Sequence, residues 1–108
     1  MTNDYNGWTN YETWCAKLWM DNDQGSYSYW LERTQDAWDD AEPTQVWTKQ
    51  ETARIRLEKE LQDVHECDRP ELAGVFGDLL GAALSEVNWQ EIAESMLSDM
   101  AAEQEVVS

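Results

Sequence analysis

Glu32, Asp36, Asp39 and Asp40 recur at steps of three and four residues, so a helix through them would line up four carboxylates. Carboxylates at i and i+4 on a helix stand about 6 Å apart along its axis. B-form DNA carries one negative charge per about 1.7 Å of axis over both strands, so such a row approaches the phosphate spacing of one strand. Glu91, Glu94 and Asp99 offer a second row. The chemistry these residues suit is imitation of a polyphosphate. The plain alternative is a solvated helix face that keeps the protein soluble. The overall balance bears on the choice: 23 Asp and Glu stand against 7 Lys and Arg, a formal net charge of -16 in 108 residues. A folded surface of that sign repels nucleic acid and attracts proteins whose own surface is basic.

Other chemistries find less support. His65 is the sole histidine and lies near Glu66, Cys67 and Asp68, but a structural zinc site needs four ligands at suitable spacing. Asp21 to Gly25 resembles part of a calcium loop, yet its glycine and its bidentate Glu fall out of register. No metal site and no cofactor is expected. There is no phosphate-binding glycine loop, no Gly-x-Ser-x-Gly and no Cys–His pair with a third orienting group, so the chain is not expected to be an enzyme. Seven Trp and four Tyr are concentrated towards the N-terminal half. Trp8, Trp14 and Leu18 are expected to build the core. Trp19 and Trp38, at the edges of their stripes, are candidate anchors for a partner. Stacking of single-stranded bases on these rings is disfavoured, because the surrounding charge repels a phosphate backbone.

The elements that would carry these residues are helices, joined into one compact domain over residues 1–108. Thr9 with Glu12 reads as a capping box opening a first helix to about Asp21, with Tyr11, Trp14, Cys15 and Leu18 as its stripe. Asp21 to Gly25 reads as a break, with Gly25 free to take positive φ. Ser26 then opens a second helix to about Ala41, with Tyr27, Trp30, Leu31, Thr34, Trp38 and Ala41 on one side. Thr48 with Glu51 caps a third helix to about Glu66, striped by Ala53, Leu57, Leu61 and Val64. Its basic residues alternate with acids, which points to local ion pairs. Asp68-Arg69-Pro70 reads as the start of a fourth helix to about Ser85, with Leu72, Val75, Phe76, Leu79, Leu80, Ala83 and Leu84 in period. Gly74, Gly77 and Gly81 lie along its flank, where another helix, or a second copy, has room to approach. Asn88 with Glu91 caps a fifth helix through Trp89, Ile92, Ala93, Met96, Leu97, Met100 and Ala101. Residues 1–7 form an arm and 103–108 a frayed tail. The expected fold is an all-α bundle of four or five short helices, with the last two as its core hairpin and the Trp-rich first helix packed across them.

Tyr5-Asn6-Gly7-Trp8-Thr9-Asn10-Tyr11-Glu12-Thr13-Trp14 resembles the opening of a family of small acidic proteins encoded mostly by bacteriophages, plasmids and related mobile elements. The stretch from Asp78 to Glu94 is similar to that family's closing segment. The middle, about 26–66, matches weakly. The resemblance implies a genetic setting and a domain type, and it carries no catalytic residues.

These readings lead to an expected function. The chain would act as a nucleic-acid mimic that inhibits a host defence complex, a CRISPR effector or a restriction enzyme, by occupying its basic DNA-binding channel. The alternative is a small interaction module anchored by a Trp-rich apolar patch. The expected partner is a protein with a basic nucleic-acid-binding surface, with no direct nucleic acid and no membrane. The chain itself would be a monomer or homodimer. No run of about 18 apolar residues is present. The polar start lacks a signal peptide's basic and apolar regions, so the cytoplasm of a bacterial host cell is the expected location, with Cys15 and Cys67 as free thiols.

Overall fold

The computed structural model describes residues 7–107, with side chains described as far as residue 102. Five helices follow one another: α1 (Tyr11–Asn22), α2 (Gln24–Asp40), α3 (Lys49–Asp68), α4 (Gly74–Glu86) and α5 (Trp89–Val107). There is no β-strand among the described residues. The fold is an all-α bundle, as the helical periodicity predicts. Its radius of gyration is 15.2 Å, against about 13 Å for a compact domain of 100 residues, and its long axis reaches 49 Å.

The core lies between α2, α3 and α5. Trp30, Ala37 and Ala41 meet Ala53, Leu57 and Leu61 of α3 and Trp89, Ile92, Ala93, Leu97 and Met100 of α5. The stripes expected on α3 and α5 are buried along most of their length, with Val64 and Met96 half-buried and Ala101 exposed. Thr48 accepts from the Glu51 N–H at 3.1 Å, and the Glu51 carboxylate accepts from the Thr48 N–H at 3.1 Å, which completes the capping box. Alanines at 37, 53 and 93 are fully enclosed and let the helices approach closely. The core hairpin expected from the two C-terminal helices is therefore replaced by α3 against α5. No residue of α4 is buried, and its main helix neighbour is α1.

Several local expectations change. Thr9 does not cap α1. Asn10 does, accepting the Thr13 N–H on Oδ1 at 2.9 Å, while the Thr9 N–H donates to Glu91 Oε1 at 3.1 Å. The break between α1 and α2 is Asp23 alone, at φ -93 and ψ 113, and Gly25 lies inside α2 without positive φ. The residues after Asp68 do not start a helix. Arg69 to Ala73 is a connection, and α4 begins at Gly74, whose φ of 67 turns the chain into it. That connection folds back over the glycine flank of α4. The Leu72 carbonyl lies against Gly77, and the Arg69 guanidinium stands 3.5 Å from where a Cβ on Gly81 would be. The flank is thus filled by the chain's own loop, not by another helix. α5 continues to Val107 through the stretch expected to fray. The first six residues of the expected arm, and Ser108, lie outside the described residues.

The two ends that carried the family resemblance meet in space. Asn10 Nδ2 donates to the Glu86 carbonyl at 2.7 Å. The Thr13 hydroxyl accepts the Asn88 N–H at 2.8 Å. Trp8 packs on the core beside this clasp. Thr13, Lys17 and Met20 therefore form the buried side of α1. The apolar stripe of Tyr11, Trp14, Cys15 and Leu18 points the other way at 100° per residue. Leu18 is exposed and Trp14 half-buried, so the expected core role of Leu18 does not hold.

Candidate functional site

The α2 quartet divides into two pairs. Asp36 and Asp40 face α3 and belong to an ionic ladder. Arg33 donates to Asp36 Oδ2 at 3.1 Å and to Glu60 Oε1 at 2.8 Å, and Arg56 donates to Asp40 Oδ2 at 2.9 Å. Arg56 Nε lies 3.5 Å from Glu60 Oε2, so Glu60 is shared between the two arginines. The hydrogen bond to Glu60, aided by the charges of Glu60 and Asp36 and opposed by desolvation, raises the Arg33 pKa above its ordinary value. Glu32 and Asp39 have no cationic partner among the described residues. Both are exposed, and Asp39 accepts from Gln35 Nε2 at 2.9 Å. They lie seven residues apart, about 20° apart in bearing and about 10 Å apart along the axis. Exposed Glu42, just past the end of α2, adds a third carboxylate near that end. The resulting ridge is sparser than a phosphate row but carries no compensating cation.

The α5 residues do not form a row. Glu91 is half-buried, holds the Thr9 N–H, and donates its own N–H to Asn88 Oδ1 at 3.1 Å, so it belongs to the start of α5. Glu94 and Asp99 are both exposed but point about 140° apart on the helix. Asp99 lines an open cavity of about 320 Å³ with Lys17, Asp21, Tyr27, Trp30 and Met100 among its walls. Lys17 is already committed there, to Asp21 at 2.6 Å. Asp99 is the wall's unpaired charge among the described residues, above an apolar and aromatic floor. The cavity therefore suits a long side chain with an apolar stem and a positive head.

The two tryptophans also separate. Trp19 is 71% exposed and borders a groove with Ala16, Asp23, Ser26 and His65. Trp38 is half-buried against the core, and Lys49 Nζ stands 4.9 Å from its ring centroid, so Trp38 is not a free anchor. His65 lies in an aromatic stack. Its ring stacks between Trp30 and Trp89, at centroid distances of 5.9 and 4.7 Å, with Nδ1 2.8 Å from the Leu61 carbonyl oxygen. Among the described residues no three His, Cys, Asp or Glu side chains converge as metal ligands. No helix among them is long and apolar enough to cross a membrane.

Sequence reasoning missed the cavity around Asp99, because its walls come from three helices. It also missed the exposed face of α4. A signal for that face was present: α4 is apolar around most of its circumference, more than one packing surface can bury. Comparison with curated proteins and with solved structures returned no significant match. A family model does match residues 1–106, nearly the whole chain. The chain belongs to that family, the family of unknown function DUF7249.

Proposed function

We propose that this chain is a non-enzymatic acidic protein that docks on the basic nucleic-acid-binding channel of a host defence complex, a CRISPR effector or a restriction enzyme, and blocks it. The observation that carries this reading is the commitment of its cations. Lys17, Arg33, Arg54, Arg56 and Lys59 are in ion pairs with the chain's own carboxylates. Lys49 is held by the Ala41 carbonyl at 3.0 Å and the Trp38 ring; Arg69, exposed beside Gly81, is the exception, with no ion pair among the described residues. The exposed carboxylates without a cationic partner among the described residues include Glu32, Asp39 and Glu42 along one ridge and Asp99 at the mouth of the cavity, beside others such as Asp23, Glu66, Glu71 and Glu94 elsewhere. A partner's arginines or lysines gain Coulomb energy along the ridge, and one of them fits the cavity by its stem. The mobile-element resemblance supports the choice of target, since such elements need inhibitors of host nucleases.

The test is competition. The triple variant Glu32→Lys, Asp39→Lys, Glu42→Lys leaves every ion pair of the ladder in place. The unaltered chain should displace duplex DNA from a CRISPR effector or restriction complex, and less so as salt rises from about 0.05 to about 0.5 M, where screening is strong. The triple variant should lose displacement while keeping its helical circular dichroism. Displacement indifferent to both salt and the triple variant would overturn the proposal.

A second reading rests on Trp19, exposed beside a groove. It makes the chain an interaction module anchored by that ring, with charge serving solubility. Binding would then be nearly flat in salt and lost in Trp19→Ala.

A further inference from the structure

α4 presents an apolar face that no described part of the chain covers. Val75, Phe76 and Leu79 are 62%, 68% and 61% exposed, and Leu72 just before them is 49% exposed. Between Leu72 and Leu84 the only charged residue is Asp78. At 100° per residue Val75, Phe76, Leu79, Ala82 and Ala83 share the outward side, while Gly77, Leu80, Gly81 and Leu84 turn inward. The inward side is occupied by the returning loop and, through Leu84, by the core. Leaving a large apolar side chain in water forgoes the free energy of burying it, and here four are left in one place.

We propose that this face is the interface of a symmetric homodimer, with α4 antiparallel to α4 of a second copy. Two features of the chain select a second copy as the occupant. The first is charge. On a molecule of -16 the α4 face is a local minimum of charge, so a basic partner is drawn elsewhere and the mate of α4 must itself be apolar and nearly uncharged. The second is shape. The large residues lie in the first half of the face and the small ones, Ala82 and Ala83, in the second. A two-fold axis at Leu79 sets Phe76 against Ala82 and Val75 against Ala83, twice over, with Leu79 against its own copy. Large then fills small on either side of the central Leu79 pair, as suits a self-complementary interface. Glu86, the last residue of α4, lies beyond the Val75–Ala83 contact. Asp78 lies to one side of the Leu79 direction, where water still reaches it.

A face one helix wide falls short of the ~800 Å² per partner typical of stable complexes, so the dimer belongs to the weak class. α2 makes no substantial contact with α4, so the Glu32–Asp39 ridge remains free in each copy. The inference stands whether or not that ridge binds a basic target.

Sedimentation equilibrium of the full chain, at concentrations spanning the micromolar range, tests it directly. The expected result is a shift from 12.6 kDa towards twice that mass. Salt should favour the shift by screening the repulsion between two anionic copies. The double variant Phe76→Glu, Leu79→Glu should remain monomeric with unchanged helical circular dichroism. A second variant guards against misfolding: Leu79→Cys, in a background with Cys15→Ser and Cys67→Ser, should form a disulfide-linked dimer on mild oxidation, and Asp78→Cys in the same background should not. A chain monomeric at every concentration and salt would overturn the proposal and leave the face to another apolar partner. So would a dimer that survives the double variant, or equal cross-linking at 78 and 79.

Discussion

The Thr13 hydroxyl accepts the Asn88 backbone N–H at 2.8 Å and donates to Asn10 Oδ1 at 2.6 Å, linking residues 75 apart in sequence. Thr13 is fully buried, so water cannot replace either bond. The first turn of α1 is thereby fastened to the turn between α4 and α5. We predict that Thr13→Val, which keeps the shape and removes the hydroxyl, costs about 1–3 kcal/mol. Each kcal/mol lowers the midpoint by about 4–8 °C in a domain of this size. Thermal denaturation checks it, and Thr13→Ser should retain most of the stability.

Two glycines should respond in opposite directions to alanine. A Cβ on Gly77 would fall on the Leu72 carbonyl, which is backbone and cannot swing aside. Gly77→Ala should therefore destabilise by about 1–3 kcal/mol, despite the better helix propensity of alanine. Gly25 lies inside α2 with nothing within 4 Å of its Cβ position. Gly25→Ala should stabilise by about 0.5–1 kcal/mol. Paired urea titrations would show the contrast, and equal signs would contradict this packing of the loop on α4.

His65 sits between two tryptophans buried to 5% and 6% exposure. We predict that His65→Ala costs about 1–2 kcal/mol and weakens the near-ultraviolet circular dichroism of Trp30 and Trp89. His65→Phe should restore much of the signal, because a ring is what the slot requires. A near-ultraviolet spectrum indifferent to His65→Ala would show that the stack is absent.

The four acidic residues of α2 should not behave alike. Reversing Asp36 and Asp40 to Lys sets new positive charges beside Arg33 and Arg56, where each acid now accepts a hydrogen bond. The expected cost is about 1–2 kcal/mol, since both pairs are partly solvated. Reversing Glu32 and Asp39, which have no cationic partner among the described residues, should change stability by less than about 0.5 kcal/mol or raise it slightly by relieving repulsion. Comparison of the two double variants by chemical denaturation separates ladder from ridge.

Trp19→Ala should change stability by less than about 0.5 kcal/mol, because the ring is mostly in water already. The corresponding change at Trp30 should cost about 3–5 kcal/mol. A large loss of stability in Trp19→Ala would place that ring in the core and remove it as an anchor.

Much of the helical architecture was legible because it depends on short-range order. The Thr48–Glu51 box, the Asn88 cap and the stripe from Ala53 to Leu61 are settled within a few turns of chain. The caps that misled involve a competitor far away. Thr9 and Glu12 have the right spacing, but the Thr9 N–H finds Glu91, and Asn10 serves both its own helix and Glu86. The stripes of α1 and α4 misled for a related reason. Apolar periodicity tells that a helix has a sticky side, and not which body covers it. In α1 the side chosen for burial carries Thr13 and Lys17, because Thr13 completes the clasp and Lys17 reaches Asp21.

From the order of residues alone came the helical class and the excess of negative charge. These are sums or local repeats, and no folding is needed to read them. The tertiary structure decided which carboxylates face water, since a cation on α3 captures Asp36 or Asp40 only when α2 is laid beside it. It also decided that the outer face of α4 is left uncovered by the described residues. Three helices already close the core around Leu57, Leu61 and Ile92, and the returning loop fills the one glycine flank on which a further helix had room to pack.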